Sequence, residues 1–278
     1  MKQPFVLKWL SINLSGDRAR EGREALKMVK SPTGKYPSVK AATDEDRIGM
    51  VKEIFSTVTG RYDFLNHLLS LRRDIAWRRF TTRNMNFFKT YRFLDIATGT
   101  ADLAIEAALK HPSVKVIGLD FVQEMMDLGL AKIAKRGLID RVRLLRGDAL
   151  ALPFGQNTFD VAGIAFGIRN IPDRKRALEE MRRVVVPGGQ VIVLEMTSPR
   201  GRALGAFYHL YLNAILPRVA GHFSRNPEAY RYLGDSIQNF PEPETFAREM
   251  EEAGLTRVEK QSLDFGITCL HVGTKSKE

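Results

Sequence analysis

The chain has 278 residues, 44% of them apolar, enough for one large α/β domain or two small ones, which excludes a disordered chain and a minimal disulfide-stapled fold. Its single cysteine, Cys269, leaves no intramolecular disulfide framework and no cysteine-clustered zinc or iron–sulfur site, and fits a reducing compartment. The net charge of +11 suggests a polyanionic partner until its distribution is read: residues 1–40 hold nine Lys and Arg against three acids, and the other 238 residues carry only +5.

Residues 1–43 read as a basic extension and 44–278 as the folded domain. Phe5, Val6, Leu7, Trp9 and Leu10 open the extension, so contact with anionic lipid, contact with nucleic acid, organelle import and a merely solvated head all stay open for it. Lys8 breaks the apolar run, against a secretory signal, while Asp17, Glu21 and Glu24 stand against a transit peptide. Thr43 with Asp46 predicts a helix N-cap. From Asp44 to about Phe88 the pattern is helical in two or three pieces, with Phe55, Val58, Tyr62, Leu65, Leu68, Leu69, Trp77 and Phe80 as apolar positions. Short apolar strands then alternate with amphipathic helices: YRFLDIA, VKVIGLD, VRLLRGD, TFDVAGIAF and GQVIVLEM. That alternation predicts a doubly wound α/β fold with a mostly parallel sheet and helices on both faces. Further helices are expected at about 202–221, 226–238 and 243–253, then two β-like runs, TRVEKQSLD and GITCLHVGTK. The best candidate for a membrane span, Tyr208 to Val219, contains His209, Asn213, Pro217 and Arg218, and no stretch reaches the roughly 18 apolar residues a span needs.

Ligands of such a sheet bind beyond the carboxyl ends of the strands, where strand order reverses. The first strand ends in Asp95-Ile96-Ala97-Thr98-Gly99-Thr100-Ala101-Asp102, small residues before a helix, and 21 residues beyond Gly99 lies Asp120, placed to accept from two ribose hydroxyls. A pyrophosphate would want more glycine and less negative charge than Thr98, Ala101 and Asp95 offer; a cationic ligand tolerates the acid, which favours S-adenosylmethionine over a dinucleotide. The third strand ends in Gly147-Asp148-Ala149, where an acid can accept from an adenine amino group, and Ala165 ends the fourth. Taken singly, an Asp after a strand is more often a cap or turn residue. The five histidines make no metal spacing with one another.

DIATGTADLA, VIGLD, GDALALPF, NTFDVAGIAFGIRN and RVVVPGGQVIVLE, in this order, resemble a class I S-adenosylmethionine-dependent methyltransferase. RYDFLNHLLSLRRDIAWRR, FGIRNIPDRKRALEEMRRVVVPGG and YRYLGDSIQNFP are similar, more narrowly, to the ubiquinone/menaquinone biosynthesis C-methyltransferases, from about Asp44 to Thr274. The resemblance implies a Rossmann-like seven-stranded sheet of order 3-2-1-4-5-7-6 with strand 7 antiparallel, N-terminal helices, and a helical lid after strand 5. It implies S-adenosylmethionine as methyl donor, contacted by Asp95, Ala97, Gly99, Thr100, Asp120, Asp148, Ala149 and Ala165. Thr98 and Ala101 stand where the family more usually has glycines, so their methyls are expected to tighten the loop, and Ala165 stands for a frequent serine.

The implied reaction is C-methylation of a polyprenyl quinol, demethylmenaquinol first. The methyl leaves a sulfonium and needs no metal; the acceptor carbon needs a neighbouring hydroxyl to give up its proton. Arg169 can stabilise the resulting oxyanion, or take the proton through water, while Asn170 orients that water or the hydroxyl. Tyr62 is a third candidate contact to the quinol; Asp63 and Asn66 read as cap or turn residues. If Arg169 stands free of the fold, its removal leaves the melting temperature unchanged; if structural, it pairs with an acid such as Asp173. The apolar series Phe207, Tyr208, Leu210, Tyr211, Ile215, Leu216 and Val219 suits either the core or an isoprenoid tail. The expected partners are a lipophilic quinol, an anionic membrane surface contacted peripherally from the cytoplasmic side, and a second copy of the chain as a homodimer, with no nucleic acid. Methylation of another small aromatic or lipid, and RNA binding on a scaffold of this fold, are the two rival readings.

Overall fold

The computed structural model describes residues 43–58, 62–199, 201–216 and 228–277; of the basic extension read at residues 1–43, all but Thr43 lies outside them. Among the described residues three helices precede the sheet: α1 (Asp44–Val58), α2 (Tyr62–Leu69) and α3 (Arg73–Arg83). The expected cap is present, Thr43 Oγ1 accepting from the Asp46 amide at 3.2 Å while the Asp46 carboxylate accepts from Thr43 in return. α3 stops five residues short of the expected Phe88, because Asn84 turns back to donate to the Phe80 carbonyl. Residues 89–91 then hand their three amides to the buried Asp160 carboxylate.

The alternating part follows as β1 (Arg92–Ile96), α4 (Asp102–Lys110), β2 (Lys115–Asp120), α5 (Gln123–Lys135), β3 (Val142–Arg146), β4 (Phe159–Ala165), α6 (Arg174–Val184) and β5 (Val185–Met196). After it come α7 (Arg202–Leu210), running into a π-helical turn at Tyr211–Ile215, then α8 (Glu228–Gln238), α9 (Pro243–Glu252), β6 (Thr256–Leu263) and β7 (Thr268–Thr274). The seven strands form one sheet of order β3-β2-β1-β4-β5-β7-β6, with β7 antiparallel to both neighbours and the first five strands parallel. β5 begins at Val185, four residues ahead of the expected strand, and carries Pro187-Gly188-Gly189 within it. The central strands are covered on both sides and therefore read as continuous apolar runs; β6, at the edge, is exposed along most of its length and rich in polar residues.

The core has three parts. Ala177, Leu178, Met181 and Val184 of α6 with Phe246 and Met250 of α9 cover one face of the sheet. Trp77 of α3 and Leu103, Ala104, Ala107 and Ala108 of α4 cover the other. A third cluster sits across the carboxyl ends of the strands: Met50, Val51 and Ile54 of α1 meet Tyr208, Leu212, Leu216, Tyr230, Tyr232 and Ile237, packed on Phe121 and Met196 just past β2 and near the end of β5. The switch point between β1 and β4 lies beneath this cap.

Candidate functional site

The loop after β1 is built by alternation of hand. Ala97, Gly99 and Ala101 have φ of 51°, 55° and 64°, a left-handed conformation that costs an alanine about 1 kcal/mol each and that persists only where neighbours enforce it. The enforcement is visible. Thr98 Oγ1 donates to Asp95 Oδ2 at 2.6 Å, and the Ala104 amide of α4 donates to the same oxygen at 3.1 Å. Gly118 makes this fold possible, since a Cβ there would stand 2.8 Å from the Thr98 hydroxyl and 2.6 Å from Leu144. Thr98 thus turns down into the sheet and the buried Ala101 packs toward Gly129, so neither methyl crowds the ligand side as the sequence had suggested. At the switch point the next close approach is Gly167, whose Cβ would lie 2.8 Å from that of Ala97.

Asp120 ends β2 almost fully buried; its Oδ2 accepts from the Gly99 amide at 2.8 Å and its Oδ1 from the Val122 amide at 2.9 Å. Burial raises its pKa, while these amides pull it back. A carboxylate offers about four lone-pair sites, so acceptor capacity remains for a ribose diol. Asp95 is buried deeper, and desolvation pushes its pKa up to about 7 against the pull of Thr98, Ala104 and Arg78. It braces the loop, its Oδ2 already engaged by Thr98 and Ala104. Asp148 is exposed past β3, one oxygen accepting from the Leu150 amide at 2.9 Å, with Ala149 half-buried beside it; Ala165 is half-buried at the end of β4.

Thr100 is engaged in a way the sequence did not disclose. Its hydroxyl donates to Asp63 of α2 at 2.7 Å, and Lys132 of α5 reaches Asp63 at 2.9 Å, Thr100 at 3.0 Å and Asp102 as well. Asp63, set aside as a cap or turn residue, therefore pins the N-terminal helices to the loop. Tyr62 opens α2, and its side chain lies outside those the structure describes.

Arg169 stands in a short 3₁₀ turn, Ile168–Asn170, after β4. Its partner is not Asp173, which caps α6 through the Arg176 amide, but Glu195, the fully buried acid near the end of β5. Arg169 Nη1 donates to Glu195 Oε1 at 2.5 Å and to the Phe166 carbonyl at 2.7 Å, and Nε donates to Ser236 at 3.3 Å. Nη2 has no protein partner among the described residues and is the nitrogen left for a ligand. Asn170 Oδ1 accepts from the Tyr232 hydroxyl at 3.2 Å. Ser236 and Tyr232 both lie on α8, so the two sequence segments FGIRN and YRYLGDSI, 62 and 67 residues apart at these pairs, form one hydrogen-bonded unit. Sequence reasoning missed Glu195, although an acid closing an otherwise apolar strand was a visible signal.

The histidines take structural places where they are described. His111 bonds the Thr82 carbonyl at 2.8 Å, His67 bonds Asp74 at 2.9 Å, and His271 bonds the Pro243 carbonyl at 3.0 Å, burial taking its pKa down to about 4. His209 is exposed, and His222 lies outside the described residues.

Residues 40–275 match the model of the ubiE/COQ5 methyltransferase family. Among curated relatives, the chain is 40% identical over 226 residues to a ubiquinone/menaquinone biosynthesis C-methyltransferase UbiE of Geotalea daltonii, covering 81% of this chain and 96% of that one. It is 42% identical over 222 residues to a demethylmenaquinone methyltransferase of Thermus thermophilus, covering 80% and 100%. It is 41% identical over 231 residues to one of Deinococcus radiodurans, covering 83% and 95%. Of solved structures, a SAM-dependent methyltransferase of Thermotoga maritima superposes with a TM-score of 0.58 at 21% identity, over 81% of this chain and 99% of that one, a likeness of fold.

Proposed function

The chain belongs to the ubiE/COQ5 methyltransferase family, and from that membership we propose that it transfers the methyl of S-adenosylmethionine to a ring carbon of a polyprenyl quinol, demethylmenaquinol in this case. The names carried by the Thermus and Deinococcus relatives support the menaquinone series. The observation that carries the reading is the meeting, at one edge of the sheet, of an acid-lined cofactor loop with an arginine whose Nη2 is unspent.

When bound, the donor supplies a methyl already activated on a sulfonium sulfur. The rest falls to the protein. Asp120 holds the ribose through its remaining lone pairs, Asp148 takes the adenine amino group, and the backbone at Ala97, Gly99, Thr100, Ala149 and Ala165 lines the donor. Asp95 offsets the positive sulfonium. Arg169, held by Glu195, presents Nη2 to the phenol oxygen next to the accepting carbon; the phenol proton passes to water, the fixed cation stabilises the oxyanion that makes that carbon nucleophilic, and after the methyl is bonded the displaced ring proton restores the hydroxyl. Asn170, its Oδ1 held by the Tyr232 hydroxyl, steers the ring hydroxyl through its amide N–H. The apolar cap of α1, α7 and α8 supplies walls for the prenyl tail.

Membrane contact fits this substrate. No helix of the described residues is long and apolar enough to cross a membrane. Leu71 and Phe265, 81% and 85% exposed, stand on turns tied together by the Arg73–Asp264 ion pair and a 2.7 Å bond from Trp77 to Asp264. The turn bearing Phe265 leads into Thr268, which pairs with Met196, so it lies at the edge where the parallel strands end. Phe207 and Leu210 of α7, which follows β5, are exposed too. We place the enzyme peripherally on the cytoplasmic face of the membrane, with this edge toward the lipid.

The test is an anaerobic incubation of the full-length protein with S-adenosylmethionine and a reduced short-tail demethylmenaquinone, read by mass spectrometry. Gain of one methyl on the ring is expected; a quinol returned unchanged by an enzyme that binds the donor would overturn the substrate.

A further inference from the structure

Among the tyrosines of the cap, Tyr232 has its hydroxyl bonded to Asn170, whereas that of Tyr208 is buried and unspent. Tyr208 is 5% exposed, and its hydroxyl is buried with no hydrogen-bond partner among the described residues. Such an orphan costs the fold stability, and native folds rarely retain one without a reason. Its surroundings supply the reason. Tyr208 belongs to the cluster that closes over the strand ends, against which pack Phe121 and Met196, the residues that directly follow Asp120 and Glu195. Its ring stacks on Tyr211, centroids 6.4 Å apart and planes 19° from parallel, which fixes its direction. The other polar side chains that the cap lends to the site are already engaged: Tyr232 with Asn170, Ser236 with Arg169 and the Leu233 carbonyl.

We propose, on the quinol reading above, that Tyr208 touches the substrate: its hydroxyl donates to a ring oxygen of the bound quinol as the cap re-seats over the acceptor. Burial raises the pKa of this phenol, and Arg169 and Glu195 lie within its electrostatic reach, so the group stays protonated and serves as a donor beside Arg169. The π-helical turn that begins three residues later, at Tyr211, is a wider stretch of helix of the kind found at functional sites. The energetic arrangement is one of stored cost: the unsatisfied hydroxyl destabilises the empty cap and is satisfied only when the acceptor arrives.

The experiment compares full-length wild type with Tyr208→Phe, an isosteric change that removes only the hydroxyl. Three quantities are read: melting temperature without substrate, S-adenosylmethionine affinity by calorimetry, and kcat/KM for the reduced short-tail demethylmenaquinone. The proposal expects a melting temperature equal or higher, an unchanged donor affinity, and kcat/KM lowered about tenfold, roughly 1.4 kcal/mol. An unchanged kcat/KM would overturn it, as would a lower melting temperature that accompanies the loss, which marks a hydroxyl serving the fold. Failure of the wild type itself to methylate the quinol would remove the substrate reading and this proposal with it; full activity in Tyr208→Phe beside an active wild type removes the proposal alone.

Discussion

Arg169 shows how differently a residue reads alone and in place. Its position after β4 was evident from the FGIRN segment, but its partner was not, because Glu195 is 26 residues away and the two meet only when β4 and β5 pair. The consequence reverses an expectation. Removing one member of a buried pair leaves the other charge uncompensated, at about 3–5 kcal/mol. Arg169→Ala therefore unfolds at clearly lower denaturant, measured by urea titration, instead of keeping the wild-type midpoint, and its loss of activity is not by itself evidence of catalysis. Arg169→Lys is the more telling variant: it retains charge toward Glu195 but not the fork that leaves a nitrogen spare. Asp95 titrates where the sequence would not place it. Its folded pKa, about 7, lies above the ordinary 3.8, so its share of stability is fully present below pH 3.8 and is lost as pH rises through 7. A cationic ligand favours the ionised form. Affinity for S-adenosylmethionine should rise between pH 6 and 8 in the wild type and stay flat in Asp95→Asn, with calorimetry at several pH values as the check; parallel curves would show that Asp95 does not sense the sulfonium.

At the scale of elements, periodicity made the alternating strands and helices legible, and the strands of the buried sheet could hardly be read otherwise. What it left illegible are contacts between elements far apart in sequence. Asp63 looked like a turn residue because nothing within α2 asks for it; its reason is Thr100 and Lys132, 37 and 69 residues on. These side chains are roughly 30% exposed, so the pair adds little to global stability, on the order of 1 kcal/mol or less. Its effect is local. Asp63→Ala should leave the melting temperature within a degree or two and weaken donor binding severalfold, because the loop after β1 loses the helix that steadies Thr100. Equal donor affinity in the two proteins would make the contact a surface ion pair only. Thr98 was misread for a related reason: the glycine that lets it turn inward, Gly118, sits on the neighbouring strand.

Across the whole molecule, the sheet order and the antiparallel last strand agree with what the resemblance implied, because a chain of alternating strands and helices has few ways to cover both faces. Exposure could not be read in the same way. Leu71 and Phe265 belong to unrelated segments, and only the fold brings them to one edge through Asp264. If that edge meets lipid, replacing both by Ser should lower flotation with anionic vesicles severalfold while sparing methylation of a short-tail quinol in detergent. Deleting residues 1–40 should reduce the salt-sensitive part of the same binding. Flotation equal in all three proteins would reject both the edge and the extension as lipid contacts.

The hydrogen bonds from Arg169 to Ser236 and from Tyr232 to Asn170 carry a consequence for descent. A lineage cannot alter one member of either pair without disturbing the other, so across relatives the two segments should vary together or not at all. Chimaeras make the point experimentally. Exchanging everything after Met196 for the same stretch of a relative whose α8 lacks this serine and tyrosine should give a folded, donor-binding protein that passes no methyl on, and restoring the two residues should return its inheritance.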